Sequence, residues 1–193
     1  MDIKIFEKFR RNKIEKVGSC QFSGKIFVIG LSGTGTRSLH HAFQMLGIRS
    51  SHYPQHPRAF DEYQALSDIP VACRFKVLDE LYPGSKFIHT VRELDSWLEN
   101  RSRKPADLKE IPFWMKLNRM RTYGRLHYER ESYIEVYHRW NLEISEHFQG
   151  RDNLIRMNII SGDGWGALCP FIDAKLDREV PFPNVKTLKK KRS

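Results

Sequence analysis

The chain is short of cysteine, of acidic residues relative to basic ones, and of long apolar runs, and each shortage closes off a class of protein. Its three cysteines, Cys20, Cys73 and Cys169, are odd in number, far apart and without CxxC spacing. They lay out neither a disulfide framework nor a zinc knuckle, so a reducing, cytoplasmic compartment is expected. No stretch approaches the ~18 consecutive apolar residues that span a bilayer. Residues 1–18 are basic and break up their apolar positions, so they lack the continuous core of a secretory signal and export is not expected. Disorder is also excluded, because 40% of the residues are hydrophobic and twelve Phe, seven Tyr and four Trp are present.

The acid deficit is large: 23 acidic against 33 basic side chains, a formal charge of +10. Such a balance attracts polyanions, and Lys186, Lys189, Lys190, Lys191 and Arg192 concentrate part of it near the end of the chain. The basic residues form neither a reading helix nor an aromatic ribonucleoprotein motif, which argues against nucleic acid as the partner; a small anionic ligand suits the charge equally well. A length of 193 residues supports one sizeable core. The expected organisation is a basic N-terminal segment (1–24), an α/β domain (25–176) and a C-terminal extension with a basic tail (177–193).

Strand and helix signals alternate. Lys25-Ile26-Phe27-Val28-Ile29 is nearly continuous in apolar residues, the pattern of a central parallel strand buried on both faces. Leu39, Phe43 and Leu46 follow at helical spacing, with Gly47 as a stop. Residues 49–60 read as a loop, and Val71, Phe75, Leu78 and Tyr82 predict one helix ended by the turn Tyr82-Pro83-Gly84-Ser85. A second strand runs from Lys86 to Val91, and a helix carrying Leu94, Trp97 and Leu98 follows. Helices are predicted at 111–123 and 128–148, a weaker strand at Leu154-Ile155-Arg156-Met157, and a last helix with Trp165, Leu168 and Phe171 before a loose tail from Asp177. Strands separated by helices predict a three-layer α/β/α fold around a central parallel sheet.

The chemistry concentrates in Gly30-Leu31-Ser32-Gly33-Thr34-Gly35-Thr36-Arg37-Ser38, between the first strand and its helix. Glycines let backbone approach an anion, the first helical amides point outward at the positive end of the helix dipole, and Thr34, Thr36, Ser38 and Arg37 add donors. A bound phosphate is the expected guest. The pattern GxxxxGK[ST] of nucleotide triphosphatases would need lysine at Thr36 and a magnesium-binding hydroxyl at Arg37, and neither is present. Val77-Leu78-Asp79-Glu80 has the look of a magnesium-holding acidic motif, but its apolar neighbours follow helical spacing, so Asp79 and Glu80 read as a solvated helix face. His52 and His56 stand four apart without a third ligand, and no metal site is expected.

Four segments, in order, resemble the small sulfotransferases that use 3′-phosphoadenosine 5′-phosphosulfate (PAPS), and the resemblance implies their α/β fold with P-loop NTPase-like topology. They are the loop from Ile29 to Leu39, similar to that family's 5′-phosphosulfate loop; Leu66-Ser67-Asp68-Ile69-Pro70-Val71, similar to its Asp-x-Pro element; Tyr82 to Glu93 with Ser96-Trp97, similar to the strand and arginine that hold the 3′-phosphate; and Gly162-Asp163-Gly164-Trp165, with Leu168-Cys169 and Pro181-Phe182-Pro183-Asn184 behind it. The resemblance implies that Gly33, Thr34, Gly35, Thr36, Arg37 and Ser38 cradle the 5′-phosphosulfate, and that Arg92 pairs with the 3′-phosphate, assisted by Asn100 where the family has serine. It also implies that a sulfuryl group moves without a metal to a hydroxyl or amine of a small-molecule or glycan acceptor. Asp68 is the first choice of base, with capping of the following helix as its other role; His52 is the second choice. Where the family carries Lys or Arg on the loop, this chain has Gly33; Arg37 would then reach back to supply the charge. The alternatives are a nucleotide-binding protein without transfer activity and a nucleotide kinase.

Overall fold

The computed structural model describes residues 14–103 and 111–184; the basic tail from Lys186 onward and the first part of the basic N-terminal segment lie outside them. The strands are β1 (Gly18–Cys20), β2 (Ile26–Val28), β3 (Ser50–His52), β4 (Ala65–Ser67), β5 (Lys86–Thr90), β6 (Leu154–Met157) and β7 (Ala174–Leu176). The helices are α1 (Thr36–Met45), α2 (Ala59–Glu62), α3 (Ile69–Ala72), α4 (Phe75–Leu81), α5 (Leu94–Ser102), α6 (Phe113–Tyr123), α7 (Arg130–His147) and α8 (Trp165–Phe171), with a 3-10 turn at Ile159–Ser161. Five strands form one parallel sheet in the order β3-β4-β2-β5-β6. β1 and β7 make a separate antiparallel ribbon.

The two faces of the sheet are sorted by the strand's alternation of side chains. Phe27, Leu66 and Phe87 point to one side, where Phe75 and Leu78 of α4, Trp97 and Leu98 of α5, and Tyr133, Trp140 and Ile144 of α7 cover them. Ile26, Val28, Ala65 and Ile88 point to the other, against Leu39, Ala42 and Phe43 of α1 and Leu168 of α8. β2 is fully buried, as its unbroken apolar run requires. The fold is the expected α/β/α arrangement around a parallel sheet.

Four expectations need correction. Residues 49–60 are not all loop: Ser50–His52 is the edge strand β3, paired to β4, and its polar sequence hides it because an edge strand is held by backbone bonds. The single helix through Val71 and Tyr82 is two: α3 ends at Ala72 and α4 begins at Phe75, with Arg74 between them at φ −127° and its guanidinium bonded back to the Pro70 carbonyl at 2.6 Å. The segment after Asp177 is not loose throughout, because Trp165 Nε1 donates to the Val180 carbonyl at 3.0 Å and the Trp165 and Phe182 rings pack edge to face. Asp79 is not a solvated carboxylate. Arg151 binds it through both nitrogens at 2.6 Å, and His147 Nε2 lies 2.8 Å away.

Candidate active site

Parallel strands end at the same edge of a sheet, and at that edge the register brings Val28, Ser67 and His52 level. The glycine loop leaves β2 there, Asp68 follows β4, and His52 is the last residue of β3. Residues distant in sequence therefore converge for a topological reason.

The loop is held rigid from several sides. Trp140 Nε1 donates to the Ile29 carbonyl and Trp97 Nε1 to the Ser32 carbonyl, each at 3.0 Å. The Ser32 amide donates to the Tyr123 hydroxyl at 3.2 Å. Burial pushes that hydroxyl's pKa up to about 12, so it stays protonated. Thr34 is buried, and its hydroxyl donates to the Leu31 carbonyl at 2.6 Å and meets Thr90 Oγ1 at 2.7 Å. The hydroxyl donor expected from Thr34 is thus engaged in the loop's own fold.

Gly33 and Gly35 both take left-handed backbone, φ 94° and 112°, where a side chain would be strained. Gly35 is the N-cap of α1 and supplies no side-chain cap, and no acidic residue lies in the first turn. The leading amides of Thr36, Arg37 and Ser38 therefore keep their capacity for an external acceptor, at the positive end of a ten-residue helix. Arg37 is exposed on that turn and has no hydrogen bond or ion pair among the described residues.

Asp68 is the hub of the polar cluster. It caps α3 by accepting from the Ile69 amide at 2.8 Å, and holds φ 80°, a conformation that costs about 1–3 kcal/mol outside glycine and persists only when its surroundings fix it. Ser32 Oγ donates to Oδ1, Thr36 Oγ1 to Oδ2 at 3.4 Å, and His52 Nε2 lies 3.0 Å from Oδ2. Burial favours the neutral acid, but the hydrogen bonds and charge of His52, with Ser32 and the Ile69 amide, outweigh it and hold the carboxyl well below the ordinary carboxylate range. A carboxylate saturated in this way is a weak base and a strong orienting group. Behind it, His40 packs against His52 at 5.9 Å between ring centres and bonds Ser50 Oγ through Nδ1 at 2.9 Å; burial first, then His52, His41 and Arg37, lower its pKa to about 3.

The remaining wall comes from β5 and α5. Arg92 donates from Nε to Ser96 Oγ at 2.9 Å and from a terminal nitrogen to the Gly33 carbonyl at 3.3 Å. Asn100 stands beside Gly33 with its Oδ1 buried and without a partner.

A family model of the sulfotransferase domain matches residues 55–190. The chain belongs to the sulfotransferase domain family. No curated protein matches it. The matched span of this sulfotransferase-family chain contains Asp68, Arg92 and Asn100; the glycine loop and His52 precede it and join the site through the parallel register just described. Of the residues singled out from sequence, Asp68, His52 and Thr36 form one hydrogen-bonded cluster, Arg92 bonds the Gly33 carbonyl with Asn100 beside them, and the loop connects the two groups. The sequence reading missed Ser32 and Tyr123, which fix the loop, and Tyr53, whose ring lies 5.5 Å from that of Trp114 and whose hydroxyl is buried without a partner. Only the aromatic character of Tyr53 and Tyr123 marked them, and that is shared with the core. Among the described residues no group of three or more His, Cys, Asp and Glu side chains is placed to hold a metal, and no helix is long and apolar enough to cross a membrane.

Proposed function

We propose that this sulfotransferase-family protein moves a sulfuryl group from PAPS to a hydroxyl or amine of a small-molecule or glycan acceptor, in the cytoplasm, where its three free thiols stay reduced. The observation that carries the reading is the His52–Asp68 pair at 3.0 Å, set against the uncapped first turn of α1. One cluster offers a proton acceptor and the other a cradle for an anion.

The residues present fit the donor. The left-handed glycines clear the backbone for close approach, the amides of Gly35, Thr36, Arg37 and Ser38 and the hydroxyl of Ser38 would hold its 5′-phosphosulfate, and Arg92 with the amide nitrogen of Asn100 would donate to its 3′-phosphate. PAPS supplies the sulfuryl group and a phosphate leaving group. Asp68, ionised at neutral pH, fixes the His52 proton on Nε2 and leaves Nδ1 to accept the proton of the attacking hydroxyl or amine. Thr36 Oγ1, 3.3 Å from His52 Nε2, ties the base to the first turn of the helix, so base and anion cradle share one rigid frame.

Calorimetric titration with adenosine 3′,5′-bisphosphate, without magnesium, beside ATP with magnesium tests the reading. Tighter, metal-independent binding of the bisphosphate is expected. Preference for magnesium ATP, or binding of neither, would overturn it.

A further inference from the structure

We propose that Arg101, on α5, is the cation that receives the donor's 5′ anion, taking the place of a basic side chain on the glycine loop. The inference rests on the reading of the site as a PAPS site, and concerns a residue that neither the loop motif nor the 3′-phosphate motif includes.

The loop cannot supply this charge at position 33. Gly33 holds φ +94°, and a Cβ built there would lie 2.7 Å from Asn100 Oδ1 and 3.5 Å from Arg101 Cδ. The space beside the loop is filled from α5, by the amide of Asn100 and, next to it, the stem of Arg101. Arg101 is 8% exposed, its Nε is buried without a partner, and no carboxylate or carbonyl among the described residues accepts from its guanidinium. A cation whose Nε is buried and unpaired, with no counter-charge bonded to it among the described residues, is held at a cost. The residue that tolerates it in the free protein is one that gains its partner from a ligand.

Of the other arginines, Arg119 also has a buried Nε without a partner, but it is only part-buried and acts on the Tyr53 hydroxyl instead. Arg92 already has two acceptors, Ser96 Oγ and the Gly33 carbonyl, and Arg37 is exposed. Arg101 also acts on the Tyr123 hydroxyl, whose ionised form it favours against burial, and that hydroxyl accepts the Ser32 amide. The stem of Arg101 therefore runs beside the loop at Gly33, with its charge near enough to act on the hydroxyl that holds Ser32. In transfer, the acceptor oxygen or nitrogen bonds to sulfur, its proton goes to His52, and the bond between sulfur and the bridging oxygen breaks with its electron pair left on the 5′-phosphate. The charge that grows on that phosphate is what a planar fork of donors stabilises.

The test compares the full chain with Arg101→Met and Arg101→Lys, measuring unfolding temperature and the affinity of adenosine 3′,5′-bisphosphate and adenosine 3′-monophosphate. Arg101→Met is expected to leave the free protein as stable as wild type or more so, because the buried, unpaired Nε is gone. It is expected to weaken the bisphosphate about ten- to hundredfold while leaving the 3′-monophosphate unchanged, with Arg101→Lys in between. An arginine with a merely structural role would give the opposite stability change and no selective loss at the 5′ position. Equal affinities in wild type and Arg101→Met, or equal weakening of both nucleotides, would overturn the proposal. If wild type binds neither nucleotide, the PAPS reading fails on its own. Pyrophosphate then decides the role of Arg101: a thermal shift lost in Arg101→Met supports the anion site, and one unchanged overturns it.

Discussion

Two histidine–carboxylate pairs of nearly equal length sit among the described residues, and the chemistry proposed above is assigned to only one of them. His147 Nε2 lies 2.8 Å from Asp79, and His52 Nε2 lies 3.0 Å from Asp68. The first carboxylate is also clamped by both terminal nitrogens of Arg151. Its charge is already neutralised, and the cluster joins α4 to the end of α7 as a structural tie. The second has no arginine. Hydroxyls, an amide and one imidazole surround it, at the edge where three parallel strands end beside an uncapped helix. A carboxylate that lacks a permanent cation orients its histidine without being cancelled by another charge, and that histidine stands where a ligand can arrive. The pairs teach that the distance between acid and imidazole says little, and that the other partners of the acid decide the role.

The sharpest way to break the comparison is to remove each imidazole. His52→Asn is expected to lower sulfuryl transfer by about 10²–10⁴-fold, the usual span for a general base, while the affinity for adenosine 3′,5′-bisphosphate changes little. His147→Asn should leave transfer within about twofold and lower stability by on the order of 1 kcal/mol. Turnover assays beside urea unfolding separate the two. Full activity in His52→Asn would remove it as the base.

The carboxylates give the next largest effect. Asp68→Asn keeps size and an acceptor for the Ile69 amide but loses the charge that sets the His52 tautomer, so turnover should fall on the order of 10²-fold with nucleotide affinity retained. Asp79→Asn unpairs Arg151 and should cost about 1–2 kcal/mol of stability without a change in turnover. If both substitutions alter turnover alike, the two pairs do not differ in role.

The sequence showed the layers more readily than the site. Ile26 to Val28 and Leu39 to Phe43 carry their periods openly because burial demands it, and these central elements stood out. β3 did not, since Ser-Ser-His has no strand signature and is ordered by backbone pairing to β4. Hence His52 read as a residue of a loop, and its meeting with Asp68 depends on the strand order β3-β4-β2, which no local pattern encodes. Hydroxyl direction is equally hidden: Thr34 and Thr36 look alike in the motif, yet one faces Thr90 and the other the His52–Asp68 pair. Arg101 is one more basic residue in a helix until its Nε is seen buried without a partner.

The smallest expected effect separates the regions by acid. His40, packed on His52, has its folded pKa lowered to about 3 from an ordinary 6.5. Between those values the unfolded chain binds a proton that the folded chain refuses, so stability rises with pH across this window and is lost as pH falls from about 6.5 towards 3. Asp68 and Asp79 also have depressed pKa values, but their contributions are full above the ordinary value of 3.8 and disappear only below it, as pH falls through the folded values. From pH 7 to pH 5 the loop region should therefore weaken while the Asp79 cluster does not. His40→Gln, which can still bond Ser50, should recover on the order of 1 kcal/mol of the loss over that interval. His89, lowered to about 4 by burial and then by Arg156, has the same sign and remains in both proteins, so the difference isolates His40. Urea unfolding of wild type and His40→Gln at pH 7 and pH 5 measures it. Parallel loss in the two proteins would show that the imidazole beside the His52–Asp68 pair is not held neutral against acid.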